Sequence, residues 1–406
     1  MKRNLMMLAI LATTASTALA QQALTVSVSN PSKSVRMDEP VVIPLQQYGD
    51  IRSAVVTLNG KEIPCQLDDL DQDETYDELC FLADLQGKQK QEYTVTLYTE
   101  GEPRQYPARV YAEMLMRNDK VKEKNRHNNF IESITARGDC ANSYNLQHHH
   151  GVDFESELNG IRIYFDQRQT IDLYGKFKKG LELKETQFYT TKQQKAEGYG
   201  DDVLWVGNTF GLGAFRGWNG SEPTMIEPVR SRTQRVISYG PLRTIVEIYD
   251  RGWKAEEGKP ALNMLLRYTQ YAGHRDTDVD VIFNRPVADF NFSTGIINVK
   301  ESEEYSDKKG LRACWGTDWP STDTINFKRE TVGLGICIPQ QYIRSEQPAN
   351  KDNYAFVVGT ESNRMNYKII YCSDNETFGY HSAKEWFEFL REWKKEVEQP
   401  IAVSIR

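Results

Sequence analysis

Apolar and polar residues alternate with a period of two along most of this 406-residue chain. In the first such run, Leu24, Val26 and Val28 are separated by polar residues. Because side chains alternate across a strand, this pattern predicts β-strands with one buried face. Turns containing Gly and Pro separate the runs, and no rhythm of strands alternating with helices indicates a parallel sheet. The sequence therefore predicts an all-β protein with large antiparallel sheets packed face to face.

The spacing of these runs divides the chain into four segments. Residues 1–20 are predicted to be a signal peptide, and residues 21–109 an N-terminal β-sandwich. Residues 110–381 are predicted to form one large antiparallel β-supersandwich of the galactose-mutarotase-like type. Residues 382–406 are predicted to form a C-terminal helix, with Ser382 as its N-cap, followed by a final strand.

The first twenty residues have the pattern of an export signal. Lys2 and Arg3 precede an apolar stretch, residues 5–12, and an A-x-A site ends at Ala20. We therefore expect cleavage after Ala20, export to the periplasm and no membrane insertion. Loss of Lys2 and Arg3 would change the net charge from -7 to -9. Such an acidic protein is not expected to bind nucleic acid.

Six cysteines are compatible with disulfides in an exported protein. Cys65 and Cys80 flank an acidic loop and are expected to pair, and Cys314 with Cys337 is the next candidate. No C-x-x-C motif is present, and the acidic loop, residues 68–78, lacks the glycine and spacing of an EF-hand. We therefore expect no metal and no cofactor.

Three consecutive histidines, residues 148–150, begin the segment that we predict to carry the chemistry. Histidine is the side chain whose ordinary pKa suits proton transfer near neutral pH. On the next strand, Arg162 and Tyr164 share one face and would line a polar cleft. The alternative is a loop whose histidines only bond the backbone. The predicted base, acid and charge-stabilising group are, respectively, His149 or His150, Tyr164 or Tyr189, and Arg162.

Further polar and aromatic residues are candidates for substrate binding. Glu155 and Glu157 follow the histidines, and Asp201 and Asp202 begin a later strand after two glycines. Trp218 is an aromatic side chain that could stack on a sugar ring. Many arginines in the middle of the chain indicate an anionic ligand, although pairing with acids explains some of them. A row of alternate acids beginning at His274 could hold a metal, but such a row is usually a solvated face. The predicted binding residues are Glu155, Glu157, Asp201, Asp202, Arg216, Trp218, His274 and Arg275.

Several motifs also carry a family resemblance. They are HHHGVDFESEL, IRIYFDQRQTIDLYGK, GYGDDVLWVGNTFGLGAFRGW, YGPLRTIVEIYDRGW and YAGHRD. These motifs resemble a secreted Bacteroidota family, catalogued as a domain of unknown function, that occurs in polysaccharide-utilisation loci. The resemblance implies an all-β fold, a glycan ligand and a relationship to oligosaccharide dehydratases.

The sequence therefore predicts an exported carbohydrate-active enzyme that acts on anionic oligosaccharides by elimination, as a lyase or dehydratase. One alternative is a glycoside hydrolase that uses two carboxylates from among Glu155, Glu157, Asp201 and Asp202. Another alternative is a protein that binds glycans without chemistry. The sugar, the linkage and the oligomeric state are left open.

Overall fold

The computed structural model describes residues 21–406, so the predicted signal peptide lies outside the described residues. Strands account for 46% of the structure and helices for 9%, which confirms the all-β prediction. The first half contains β1 (Gln21–Ser29), β2 (Arg36–Pro44), β3 (Ser53–Leu58), β4 (Lys61–Ile63), β5 (Cys65–Asp68), β6 (Glu78–Leu85), β7 (Lys90–Tyr98), β8 (Val110–Met116), β9 (Asn129–Phe130), β10 (Ser133–Arg137), β11 (Gln147–Ser156), β12 (Gly160–Tyr164), β13 (Ile171–Gly175) and β14 (Asp201–Asp202).

The second half contains β15 (Arg216–Trp218), β16 (Pro223–Thr224), β17 (Ser231–Tyr239), β18 (Arg243–Trp253), β19 (Leu262–Tyr271), β20 (Asp276–Phe283), β21 (Phe292–Ile297), β22 (Glu303–Ser306), β23 (Leu311–Asp318), β24 (Glu330–Cys337), β25 (Ile343–Glu346), β26 (Asn353–Val358), β27 (Arg364–Ser373) and β28 (Ala402–Ile405). The α-helices are α1 (Leu183–Thr186), α2 (Lys192–Ala196) and α3 (Ala383–Glu398). Single 3-10 turns occur at Gln46–Tyr48, Tyr144–Leu146 and Gln340–Tyr342.

The N-terminal strands form a sandwich of two antiparallel sheets. One sheet has the order β28-β1-β7-β3-β4 and the other β2-β6-β5. Alternating apolar residues such as Val26, Val41 and Phe81 are buried in one core between them. The last strand of the chain returns to this sandwich, because Ile405 pairs with Val26 on β1.

The remaining strands form a larger assembly around a nine-stranded sheet, ordered β10-β17-β18-β19-β20-β27-β24-β23-β22. A six-stranded sheet, β14-β13-β12-β11-β8-β9, and a five-stranded sheet, β16-β15-β21-β26-β25, share one apolar core with it. Phe154 and Ile163 enter this core from the six-stranded sheet, and Leu266 enters from the nine-stranded sheet. The opposite face of the six-stranded sheet is therefore left for polar side chains.

The C-terminal helix is confirmed, and α3 covers an end of the nine-stranded sheet. Trp386 and Leu390 pack on Ile370 of β27, as expected for one apolar helix face. Ser382 is the N-cap and accepts a hydrogen bond from the Glu385 amide at 3.3 Å. Among residues 21–406, no helix combines the length and the apolar character that crossing a membrane requires.

The expected disulfides are absent, and all six cysteines are unbridged. On β5 and β6, Cys65 lies opposite Phe81, and Cys80 lies opposite Gln66. The two cysteines are therefore one register position apart, and their side chains point to opposite faces of the sheet. Cys314 and Cys337 were expected to pair next, but three register positions separate them on β23 and β24.

One long segment of the chain departs from the all-β pattern. The segment between β13 and β14 instead contains α1 and α2. Glu155 of β11 fixes its path, because one carboxylate oxygen accepts the amide hydrogens of Glu182 and Leu183, each at 2.7 Å. This insertion places Phe188 and Tyr189 beside Arg162 of the six-stranded sheet.

Candidate functional site

Four charged residues form one transverse row on the six-stranded sheet. In the register of the sheet, Asp153 of β11 lies opposite Glu113 of β8 on one side and opposite Arg162 of β12 on the other. Arg162 in turn lies opposite Asp172 of β13. All four residues are at most 4% exposed to solvent. Because buried charges need partners, this row is a costly arrangement that packing alone does not explain.

Arg162 is the centre of a dense hydrogen-bond network. Its guanidinium donates to Asp172 at 2.7 Å and to Asp202 at 3.1 Å. It also donates to the phenol oxygens of Tyr164 at 3.0 Å and Tyr189 at 3.2 Å. One phenol from β12 and one from the segment between β13 and β14 therefore accept hydrogen bonds from the same guanidinium.

Burial keeps both phenols protonated. It raises the pKa of Tyr164 well above the ordinary value, against the opposing effect of Arg162. Burial likewise raises the pKa of Tyr189. The Tyr164 hydroxyl donates to Asp172 Oδ2 at 3.0 Å, so it would have to turn from this carboxylate to give its proton to a leaving oxygen.

The histidine segment lies on strand β11. The register with β8 shifts between Gln147 and Val152, and His150 has a positive φ of 70°. A Cβ on Gly151 would lie only 1.8 Å from the carbonyl oxygen of Ile163. Glycine is therefore required here by close approach of two strands.

The three histidines face different surroundings. His148 stacks on His127 with 3.8 Å between ring centroids, and His150 lies against Tyr164 at 6.1 Å. His149 is fully buried and points to Glu113. Burial lowers the pKa of His148 and of His149 to about 3, and that of His150 to about 4. All three imidazoles are therefore neutral at neutral pH.

Two adjoining recesses open above this network and share Lys124 and Tyr189. The histidine recess has a volume of about 500 Å³ and is lined by His127, His148, His150, Gln147 and residues of the 117–124 loop. The tyrosine recess has a volume of about 380 Å³, within the usual range of about 300–1,000 Å³ for small-molecule sites. Arg162, Tyr164, Arg168, Asp172, Asp201, Asp202 and Trp205 line it, together with residues 320–327.

Trp205 is the aromatic side chain at the rim of the tyrosine recess. It is 53% exposed, which is unusual for tryptophan and leaves its ring available for stacking. Sequence reasoning favoured Trp218, which lies on β15 in the five-stranded sheet and lines neither recess. Trp205 follows Asp201 and Asp202 closely in sequence, and this proximity is the signal that could have identified it.

Two other cleft cations were also missed. Lys124 belongs to the loop of residues 117–124, in which no site residue was predicted. Arg168 is partly buried and donates to Asp166 through Nε at 2.8 Å. Both line the tyrosine recess, so its charge is less negative than its aspartates alone would make it.

Asp201 and Asp202 lie in the tyrosine recess, but each carboxylate is already paired. Asp201 forms an ion pair with Lys195 of α2. Asp202 accepts from Arg162. Burial raises the pKa of both aspartates, and that of Asp202 rises well above its ordinary value.

The other predicted binding residues lie outside both recesses, and four of them are held in ion pairs. The pairs are Glu155 with Lys176, Glu157 with Arg109, His274 with Asp276, and Arg275 with Glu376. Arg216 is buried beneath the sheet, where it donates to the Thr170 hydroxyl at 2.9 Å and the Thr209 carbonyl at 3.0 Å. Each of these five side chains makes an intramolecular polar contact, and none of them lines either recess.

Within residues 21–406, two groups of side chains could hold a cation. Glu113, His149 and Asp153 are buried together, whereas Asp69, Asp71 and Asp77 lie on the acidic loop of the sandwich. His149 Nε2 lies 3.6 Å from Glu113 Oε1 and 3.5 Å from Asp153 Oδ2. The buried group adjoins the site, because the rings of His148 and His149 meet edge to face at 5.6 Å.

Comparison with known proteins gives a family but no activity. Residues 28–403 match the family model described as "Domain of unknown function (DUF4861)". No curated protein matches the sequence.

Two solved structures from Enterococcus faecalis resemble the fold. An alpha-mannosidase from strain V583 is 10% identical with a TM-score of 0.47, and 95% of this chain aligns with 46% of that one. A protein in the glycosyl hydrolase family 38 is 9% identical with a TM-score of 0.48, and 95% of this chain aligns with 47% of that one. This chain thus spans about half the length of each solved structure.

Proposed function

This chain belongs to the DUF4861 family, and we propose that it is a carbohydrate-active enzyme that acts on anionic oligosaccharides by elimination in the cleft above Arg162. One observation carries the proposal. Arg162 holds the protonated phenols of Tyr164 and Tyr189, and the neutral imidazole of His150 lies against Tyr164. His150 lines the histidine recess and Tyr164 lines the adjoining tyrosine recess, so a base and an acid flank the boundary between the two recesses.

The proposed reaction begins with the C–H bond next to a substrate carboxylate. The imidazole of His150 takes this proton, and the electron pair forms a carbon–carbon double bond. The bond to the oxygen on the next carbon breaks, and the Tyr164 phenol gives its proton to that oxygen. The leaving group is an alcohol in a lyase and water in a dehydratase, so atoms and charge balance in either case.

His150 suits the base better than His149. His149 is fully buried and faces two carboxyl groups, whereas His150 lines the histidine recess. The pKa of His150 is lowered by burial, but a bound carboxylate would raise it, because a nearby negative charge favours the imidazolium. An anionic substrate would therefore strengthen its own base.

In this proposal Lys124, rather than Arg162, binds the substrate anion. Arg162 already serves two carboxylates and two phenols, so its role in the proposal is to position Tyr164 and Tyr189. Lys124 lines both recesses and is exposed, so its ammonium is free to meet a carboxylate or sulfate. Trp205 would stack on the sugar ring.

Hydrolysis by paired carboxylates is the alternative at the same cleft. It would need one free carboxylate as nucleophile or base. However, Asp172 and Asp202 are both bound to Arg162, and Asp201 is bound to Lys195. The ion pairs of these three aspartates favour elimination, and the fourth aspartate of the tyrosine recess, Asp323, accepts hydrogen bonds from the Ile325 amide and the Asn326 side chain.

The proposal is tested with purified protein and a panel of oligosaccharides that differ only in carrying uronic acid, sulfate or neither. Mass spectrometry should show a product with a new double bond from the uronate-containing members. A variant with Tyr239→Phe, at a residue of β17 that lines neither recess, should behave as the wild type. Products that have gained water would favour hydrolysis, and an unchanged panel that still binds would support glycan binding alone.

We also propose that the protein is exported, on the basis of residues 1–20. N-terminal sequencing of protein from the periplasmic fraction should begin at Gln21. Finding Met1 on the mature protein would refute this proposal.

A further inference from the structure

Beneath the cleft, three side chains converge on one buried point. Glu113 comes from β8, and His149 and Asp153 lie four residues apart on β11. The Nε2 atom of His149 is 3.6 Å from Glu113 Oε1 and 3.5 Å from Asp153 Oδ2. Two ligand atoms that lie about 2.0–2.2 Å from a tetrahedral zinc ion are about 3.3–3.6 Å apart. The spacing therefore fits ligands around one ion better than it fits hydrogen bonds.

These atoms have no other partner in the described part of the chain. Glu113 Oε1, His149 Nε2 and both oxygens of Asp153 are buried without a hydrogen bond. Buried polar atoms in folded proteins are nearly always paired, because leaving one unpaired costs about 1–3 kcal/mol or more. Several such atoms at one point therefore call for a ligand between them.

Charge leads to the same conclusion. Arg162 is the cation next to Asp153 in the row, but its hydrogen bonds go to Asp172, Asp202 and the two phenols. Among the described residues, no lysine or arginine forms an ion pair with Glu113 or Asp153. A bound cation would supply the missing positive charge.

From this geometry we propose that Glu113, His149 and Asp153 bind one divalent transition-metal ion. An imidazole with two carboxylates suits zinc or manganese, whereas calcium and magnesium prefer oxygen ligands alone. The sequence predicted no metal, because these ligands come from two strands and form no compact motif.

Tyr111 completes the site from the same strand as Glu113. Its hydroxyl donates to Glu113 Oε2 at 2.6 Å, which leaves Oε1 directed toward His149. Hydrogen-bonded second partners of this kind orient metal-binding carboxylates. On the cleft side, His148 contacts the ring of His149, so the ion would support the floor of the histidine recess.

The test uses the mature full-length chain, independently of any reaction. Protein stripped with a chelator is exposed to zinc, manganese or calcium, dialysed, and analysed for metal by mass spectrometry. We expect about one zinc or manganese ion per chain, and no retained calcium. Cobalt in place of zinc should give visible absorption bands typical of a site with nitrogen and oxygen ligands.

Variants assign the ion to this site. Glu113→Gln and Asp153→Asn preserve shape and should lose the ion, while Tyr111→Phe should bind it about 10–100-fold more weakly. Asp71→Asn, in the exposed acidic loop, is the control and should retain it. If the wild type retains no ion, or Glu113→Gln retains as much as the wild type, the proposal is wrong. The cobalt spectrum of the wild type decides the matter if a variant fails to fold.

Discussion

Asp153 and Arg162 face each other in register on neighbouring strands, yet the guanidinium makes its hydrogen bonds to Asp172 and Asp202. Arg162 thereby holds Tyr164 and Tyr189 at the cleft, and Asp153 is left with His149 and Glu113. This division of one polar row separates the proposed reaction site from the proposed metal site.

Tyr164→Phe tests the proposed acid. Removing the hydroxyl should lower kcat by roughly 100- to 10,000-fold, the range for loss of a positioned proton donor. The ring and its stacking with His150 would remain, so binding should change little. Steady-state kinetics on the substrate found in the panel would measure this, with Tyr239→Phe as the matched control. Full activity in Tyr164→Phe would assign the acid elsewhere, with Tyr189 next to be tested.

Trp205→Ala tests the stacking platform. Because Trp205 is largely exposed, its removal should leave the melting temperature almost unchanged. Oligosaccharide binding should weaken by about 0.5–1.5 kcal/mol, the scale of a specific aromatic contact. Isothermal titration calorimetry can measure the change in Kd. Met37→Ala removes an exposed apolar side chain from the sandwich and should alter neither quantity, so an equal loss of binding in both variants would contradict the assignment.

Glu155 is predicted to stabilise the fold rather than bind substrate. It is fully buried, and its carboxylate is bonded to Lys176 and to the amides that start α1. Lys176→Met should therefore lower the free energy of unfolding by about 3–5 kcal/mol, because it leaves a buried charge without its partner. Adding Glu155→Gln to this variant should restore part of the loss. Urea unfolding of the two single variants and the double variant measures the coupling, and additive effects would mean that the pair is not coupled.

His274 should make stability depend on pH in the alkaline range. Burial alone lowers its pKa, but hydrogen bonding to Asp276 and to the Asp38 carbonyl outweighs burial and the nearby Lys368, raising the pKa to about 9 from 6.5. A raised folded-state pKa stabilises the protein fully below the unfolded value, and this contribution is lost as pH rises through about 9.

Urea unfolding of the wild type and His274→Ala at several pH values measures this contribution. The difference in unfolding free energy between them should be largest below about pH 6.5 and should shrink toward pH 9. A difference that grows with pH would contradict the raised pKa.

The sequence predicted those parts of the molecule that depend on local patterns. Alternation gave the all-β class, and the spacing of Trp386 and Leu390 gave the amphipathic face of α3. The pairing of β28 with β1 could not be predicted, since it joins the two ends of the described chain. The disulfide prediction failed because sequence spacing does not reveal that Cys65 and Cys80 face opposite sides of a sheet.

The candidate site was predictable only in its strand residues. Alternation on β12 indicated that Arg162 and Tyr164 share a face, but it could not show that Tyr189 joins them from a separate segment. Asp172 carried a usable signal, because it interrupts an otherwise apolar strand between Ile171 and Leu173. Glu113 was overlooked because its partners on β11 are distant in sequence and the register that joins them is not local.

The most direct test of the central claim is the reaction run in water enriched in the heavy oxygen isotope. In samples taken before the reducing end exchanges its oxygen with water, elimination should yield an unsaturated sugar product without heavy oxygen. Both Tyr164→Phe and His150→Ala should suppress this product, while Tyr239→Phe should not. Heavy oxygen in the newly formed reducing end, with no double bond, would show hydrolysis instead and would contradict the proposed elimination.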